Sequence, residues 1–265
     1  MPFIQLLNKI DPSPLLYGQK SLWLKRLQEN NFKIPQSAII SYELLLDQLS
    51  SSFPFLKESK INPSELIQNL PKIQNQIAKM DFNDNTWKEL KHTINQLQIS
   101  RFAIRISTNM PNLDQFFPSL QNEREERVDA IIKNYYLKLF SPEILNQALI
   151  AGKNPVLSIQ IQGMLYGTVA GSISQISDQI ILLRSWKTSD KLNIQEYILD
   201  QNGQVLNQSK QNIQTLDHLL YPSLLSNEDV AHLSSEFVRT RNIITSNTEL
   251  RWIKAGQEFW IVDIF

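Results

Sequence analysis

The run TELRWIKAGQEFWIVDIF, residues 248–265, carries five charged side chains, Glu249, Arg251, Lys254, Glu258 and Asp263. Two stretches rich in β-branched and aromatic residues flank a Gly-containing turn, the pattern of a hairpin. Strand alternation places Glu249, Arg251, Asp263 and Phe265 on one face. Two carboxylates can hold a divalent cation and a guanidinium can grip phosphate, whereas charges on a merely buried face cost free energy unless they are paired. A three-residue turn at Ala255, Gly256 and Gln257 would set Lys254 opposite Glu258 and Glu249 opposite Asp263, with Arg251 on their diagonal. That register suits an ion-paired strand pair needing no ligand. It also suits a cation site made of Glu249 and Asp263, from which Arg251 swings onto a phosphate.

Other constellations are poor. His92, His218 and His232 lie far apart without metal-ligand spacing, and no Ser occupies a Gly-x-Ser-x-Gly elbow. The chain has no Cys, which removes disulfides, thiolate zinc sites and cysteine nucleophiles together and suits a reducing cytosol. Its 7 glycines, at 18, 152, 163, 167, 171, 203 and 256, stand where average usage would give about 19. Backbone cradling of phosphate normally concentrates glycines, and neither a Walker A nor a dinucleotide fingerprint is present.

Lys plus Arg and Asp plus Glu number 26 each in 265 residues, so the net charge is zero. Nucleic acid and anionic membrane are not expected partners. The opening MPFIQLLNKIDPSP lacks the basic region and long apolar core of a signal peptide, and no run approaches the roughly 18 apolar residues of a membrane span. A soluble, cytoplasmic protein is expected.

The elements that must position these groups are a helix over 18–30, a short strand after Pro35, and mostly helical stretches over 41–50 and 63–98, broken at Pro54, Pro63 and Pro71. FAIRIS (102–107) reads as a strand and STNMPNLDQFFP as a glycine-free loop carrying Phe116 and Phe117. An amphipathic helix fits 123–140, and Ser141 caps the next. After Gly152 the pattern turns to strands, including a hairpin at Asn202-Gly203, then a helix opened by the capping box Ser226-x-x-Asp229.

In order and spacing these pieces resemble the N-terminal ATP-binding domain, of ATP-grasp type, of the phosphoenolpyruvate synthase and pyruvate phosphate dikinase family. LLYGQKSLWLKRLQENNFKIPQSAIIS resembles its Gly-Gly-Lys-Gly helix start and Val-Pro-x-Gly-Phe strand; FAIRIS resembles Ala-Val-Arg-Ser-Ser; SIQIQGML resembles Val-x-Val-Gln-x-Met-Val; TELRWI and FWIVDIF resemble Asp-Ile-Glu-Trp and Leu-Gln-Ala-Arg-Pro. The resemblance implies an α+β, two-lobed ATP-grasp-like fold, with a helix-rich first lobe (1–152) and an antiparallel-sheet-rich second lobe (153–265).

It also implies ATP as cofactor. Lys20 falls on the family's phosphate-contacting lysine and Arg105 on its phosphate-reaching arginine. Gln162, Met164 and Leu165 fall beside the adenine. At the metal end the family's first acid falls on Glu249, its magnesium-binding glutamate on Arg251, its glutamine ligand on Asp263 and its phosphate-gripping arginine on Phe265. A guanidinium held within about 4 Å of Mg²⁺ would be repelled by roughly 8 kcal/mol at an effective dielectric near 20. Magnesium bound in the family's manner is therefore not expected. The expectation is a stand-alone, degenerate nucleotide-binding domain that has lost phosphotransfer and acts as a binding or regulatory protein toward a protein partner. The alternatives are a divergent ATP-dependent phosphotransferase using Glu249 and Asp263 in trans, and a scaffold whose cleft is filled by Phe116, Phe117 and Phe265.

Overall fold

A computed structural model describes residues 3–11, 13–58, 62–80, 84–211, 223–244 and 249–265; His218 lies outside them. The fold is α+β and separates into two compact units, Met1–Leu22 with Gln36–Met164, and Trp23–Pro35 with Leu165–Phe265.

The first unit contains β1 (Ile4–Leu6), most of the first turns of α1 (Pro14–Glu29), β2 (Ser37–Ile40), α2 (Glu43–Leu49), α3 (Pro63–Ala78), α4 (Asp84–Gln96), β3 (Phe102–Thr108), β4 (Leu120–Glu123), α5 (Val128–Leu139), α6 (Pro142–Ala151) and β5 (Leu157–Gly163). Its sheet runs β1-β2-β5-β3-β4, antiparallel throughout. Alternation gives this sheet two unlike faces. Ile40, Phe102, Ile104, Ile106, Ile159 and Ile161 join a core with the helices. Ser37, Arg105, Ser107, Ser158, Gln160 and Gln162 share the other face, and all six are buried.

Two elements depart from the sequence expectation. Pro71 sits inside α3 without breaking it: it is exposed, and Ile67, whose carbonyl loses its amide partner, is exposed too, so water can serve that oxygen. The helix expected from 123 begins at Val128, because Leu120–Glu123 pairs with β3 as an edge strand and a 3₁₀ turn follows at Glu125–Arg127.

The second unit holds β6 (Val169–Ser177), β7 (Ile180–Lys187), β8 (Asp190–Asp200), β9 (Val205–Gln211), α7 (Asn227–Ile243), β10 (Glu249–Ala255) and β11 (Glu258–Ile264) in an antiparallel sheet ordered β11-β10-β6-β7-β8-β9. Gly203 (φ 82°) turns β8 into β9 as the Asn-Gly pair predicts, and Ser226 and Asp229 form the predicted capping box. α7 packs on β6 and β7, burying Val230, Leu233 and Phe237.

The division expected at 152 differs from this one. β5 lies between β2 and β3 in the first sheet, and residues 23–35 belong with the second unit. Alternation identifies SIQIQG as a strand but carries no record of which ladder it completes.

Candidate functional site

In the first unit the chemistry gathers on the polar face of the sheet and on the α1 segment that covers it. Ser158 donates to the carbonyl of Tyr17, and the amide of Ser21 donates to Ser107 Oγ at 3.1 Å. Between them Gly18 adopts φ 68°, ψ 171°, and a Cβ there would lie 2.4–2.5 Å from Ser107. Positive φ and close backbone approach both require glycine, but the neighbour approached is β3 itself.

Lys20 is buried. Its Nζ stands 3.2 Å from Asp114 Oδ2, with side-chain exposures of 7% and 4%. Asp114 lies on the 3₁₀ turn Pro111–Phe116 and accepts from Thr108 Oγ1 (2.7 Å) and Thr108 N (3.2 Å). Burial pushes its carboxyl upward, and Lys20 and Thr108 pull partly back. Arg105 donates from Nε to Gln162 Oε1 at 3.1 Å, both side chains being buried, and Gln160 donates to Ser37 Oγ at 3.1 Å. Met164, just past β5, is partly exposed, and its amide donates to Arg101 O at 3.1 Å. Arg105 and Gln162 are thus brought into contact, while Lys20 meets an acid that the sequence reading did not single out. The available signal was a lone carboxylate among Met110, Leu113, Phe116 and Phe117, three of which are buried. Phe117 packs edge-on against Tyr135 at 6.0 Å and Phe116 rests on the same core. Apolar burial takes Phe117 into the first unit's core and lays Phe116 against it.

In the second unit Glu249, Arg251, Asp263 and Phe265 do share one face, but in a different register from the one expected. The turn is two residues, Gly256 (φ 65°) and Gln257, with Ala255 opposite Glu258. A bulge at Val262 then resets the ladder, so Arg251 stands directly opposite Asp263. Glu249 pairs with Phe265 instead, through Glu249 N to Phe265 O (3.0 Å) and the return bond (2.9 Å). Arg251 Nε is 3.7 Å from Glu249 Oε1, and its guanidinium lies 4.1 Å from the centre of the Phe265 ring. Asp263 is buried and its Oδ1 accepts from the amide of Ile264 at 3.0 Å.

The register extends this polar row across the sheet. Arg251 faces Ser172 on β6, Ser172 faces Arg184 on β7, and Arg184 faces Glu196 on β8, with Arg184 Nε 2.8 Å from Glu196 Oε1. Arg184 and Glu196 also escaped the sequence reading, although charges interrupting LLRSW and IQEYI at strand period were visible. On the opposite face Lys254 reaches both carboxylate oxygens of Asp229 on α7, at 2.7 and 2.8 Å. Burial is the largest influence on Asp229 and raises its pKa, yet the bonds from Lys254 and Ser226 together outweigh it and hold the carboxyl below its ordinary value.

The donor set does not fit magnesium. Among the described residues no three His, Cys, Asp or Glu side chains gather as a metal site, and the cation Arg251 stands across from the buried acid.

These features define a two-unit α+β protein with a polar face on each antiparallel sheet. No known sequence family matches the chain, and no curated protein matches it in sequence. Among solved structures it is similar to the D-alanine–D-alanine ligase of Bacillus anthracis, over 92% of this chain and 54% of that one, at 8% identity and a TM-score of 0.41. It is also similar to Cdc123 of Schizosaccharomyces pombe, over 92% of this chain and 81% of that one, at 10% identity and a TM-score of 0.42. A third is the ATP-grasp ligase PsnB, with 92% and 51% covered, 10% identity and a TM-score of 0.31. This chain spans about half the length of the two ligases. Likenesses of this size carry no residue roles, and no helix among the described residues is long and apolar enough to cross a membrane.

Proposed function

We propose that this chain is a degenerate nucleotide-binding unit of ATP-grasp type, allied to the phosphoenolpyruvate synthase and pyruvate phosphate dikinase family, that has lost phosphotransfer. It serves as a cytoplasmic binding or regulatory protein for a protein partner. The observation that carries the reading is Arg251. Where the resemblance puts a magnesium ligand, the sheet presents a cation directly across from Asp263, stacked on Phe265 and answered by Glu249. Lys20 and Arg105 support it as well, since Asp114 and Gln162 already engage them in a buried setting. A phosphate reaching either cation would have to displace an internal partner, losing a charge-assisted bond for each one it made.

The test is turnover. The full chain incubated with ATP and magnesium is expected to release no phosphate and to bind ATP without a magnesium requirement. Magnesium-dependent hydrolysis that disappears in Asp263→Asn would overturn the reading in favour of a divergent phosphotransferase using Glu249 and Asp263. Micromolar binding of ATP that requires magnesium, and that Lys20→Ala or Arg105→Ala abolishes in a protein still folded, would also overturn it.

A further inference from the structure

Away from the polar face of the first sheet, α2, the turn after it and α3 enclose a depression of about 650 Å³, within the usual size range of small-molecule sites. Its chemistry is one-sided. Lys72 and Lys79 line it, and among the described residues no carboxylate does and neither ammonium has a carboxylate within ion-pair distance. The pattern follows from the helix period. Asn69, Lys72, Gln76 and Lys79 recur at i, i+3, i+7 and i+10 along one stripe of α3, while Leu66, Ile73 and Ile77 are buried on another.

The remaining walls are amides and a hydroxyl, from Gln48, Asn75 and Ser52 besides the two amides of the stripe. Gln76 donates to Gln48 O at 2.7 Å and Asn69 to Glu65 O at 2.9 Å. Those bonds spend NH₂ groups on backbone carbonyls and leave side-chain carbonyl oxygens as acceptors. The first also ties α3 to α2, so the walls are held in place by the fold. Phe53 and Met80 supply the apolar part, and both are themselves buried. Little aromatic face is left for a planar base to stack upon.

From this donor set we infer that the α2–α3 depression binds a small anion with a hydroxylated body, a phosphate or carboxylate head on a sugar-like frame. The two ammoniums, which have no carboxylate partner among the described residues, neutralise the head. Amides, which both donate and accept, match hydroxyls, which do the same. The two lysines are not equivalent. Lys79 is the C-cap of α3, where its charge first offsets the negative end of the helix, whereas Lys72 is mid-helix and has no such duty. Lys72 is the principal anchor.

The inference is independent of the nucleotide reading. Isothermal titration of the full chain with glucose 6-phosphate, glucuronate, glucose and inorganic phosphate tests it. Glucose 6-phosphate or glucuronate is expected to bind at or below the millimolar range, glucose not at all, and inorganic phosphate more weakly than either. Saturation by glucuronate alone assigns a carboxylate head, and by glucose 6-phosphate alone a phosphate head. Lys72→Gln is expected to weaken binding by about tenfold and Lys79→Gln by less, with circular dichroism unchanged because both side chains are exposed. Absence of binding by both hydroxylated anions, equal binding of inorganic phosphate, or an affinity unmoved by Lys72→Gln in the folded protein overturns the proposal.

Discussion

The polar face of the first sheet and the polar row of the second are built from similar residues and solved in opposite ways. In the first unit Lys20 and Asp114 are closed from water, with side-chain exposures of 7% and 4%, and Arg105 is spent on Gln162. In the second, Arg251 and Glu249 remain 46% and 35% exposed, and the guanidinium lies 4.1 Å from the centre of an aromatic ring. A buried pair is expensive to form and destructive to halve, whereas an exposed pair is screened by solvent and cheap to remove. The first region therefore behaves as structure, and the Arg251–Glu249 end of the second as surface.

The sharpest way to break this comparison is to halve the buried pair. Lys20→Met should destabilise the protein by about 3–5 kcal/mol in chemical denaturation, because Asp114 is left buried and uncompensated. Adding Asp114→Leu should recover most of that loss, since removing both charges also removes the desolvation penalty. A double variant no better than the single one would mean that the pair stabilises beyond its own desolvation.

Two glycines of nearly equal φ give the next contrast. Gly18→Ala should cost at least about 2 kcal/mol, because a backbone at φ 68°, ψ 171°, open essentially to glycine alone, is joined by a clash with Ser107. Gly256→Ala should cost only about 1 kcal/mol, since nothing lies within 4 Å of the added methyl. Equal losses would show that backbone strain alone sets both.

The buried carboxylate of Asp114 and the partly exposed one of Asp229 should respond to pH with opposite sign. The folded-state pKa of Asp114 is raised, so its contribution is fully present below the unfolded value near 3.9 and is lost as pH rises through the folded value. That of Asp229 is lowered, so its contribution is present above about 3.9 and is lost as pH falls through the folded value. Denaturation midpoints of Asp114→Asn and Asp229→Asn, followed from pH 3 to 7, should diverge from wild type in opposite directions.

The smallest effect on stability should come from Arg251→Ala, under about 1 kcal/mol for an exposed pair and one cation–π contact. Its informative partner is Arg251→Glu, which places an acid opposite Asp263. If the row is a metal site with its chemistry removed, this variant should bind magnesium in titration where wild type does not.

Much of this was legible in local pattern. Alternation in FAIRIS and SIQIQG marks strands with one apolar and one polar face, and Ser226-x-x-Asp229 and Asn202-Gly203 mark a helix start and a turn, because each signal lies within a few residues of chain. The shared face of Glu249, Arg251, Asp263 and Phe265 was readable for the same reason. Which of them stand opposite was not: that depended on a two-residue turn and a bulge at Val262, which together shift the pairing while preserving the face.

Partners far apart in sequence were decided by tertiary structure alone. Lys20 meets Asp114 only because the start of α1 lies over β3 and the turn after that strand folds back. Arg105 meets Gln162 only because β5 joins the first sheet rather than the second. Residue type and spacing determined which side chains could carry charge and on which face. Burial, which decides whether a cation is available or already spent, belongs to the packed molecule, because it depends on what the rest of the chain brings against that face.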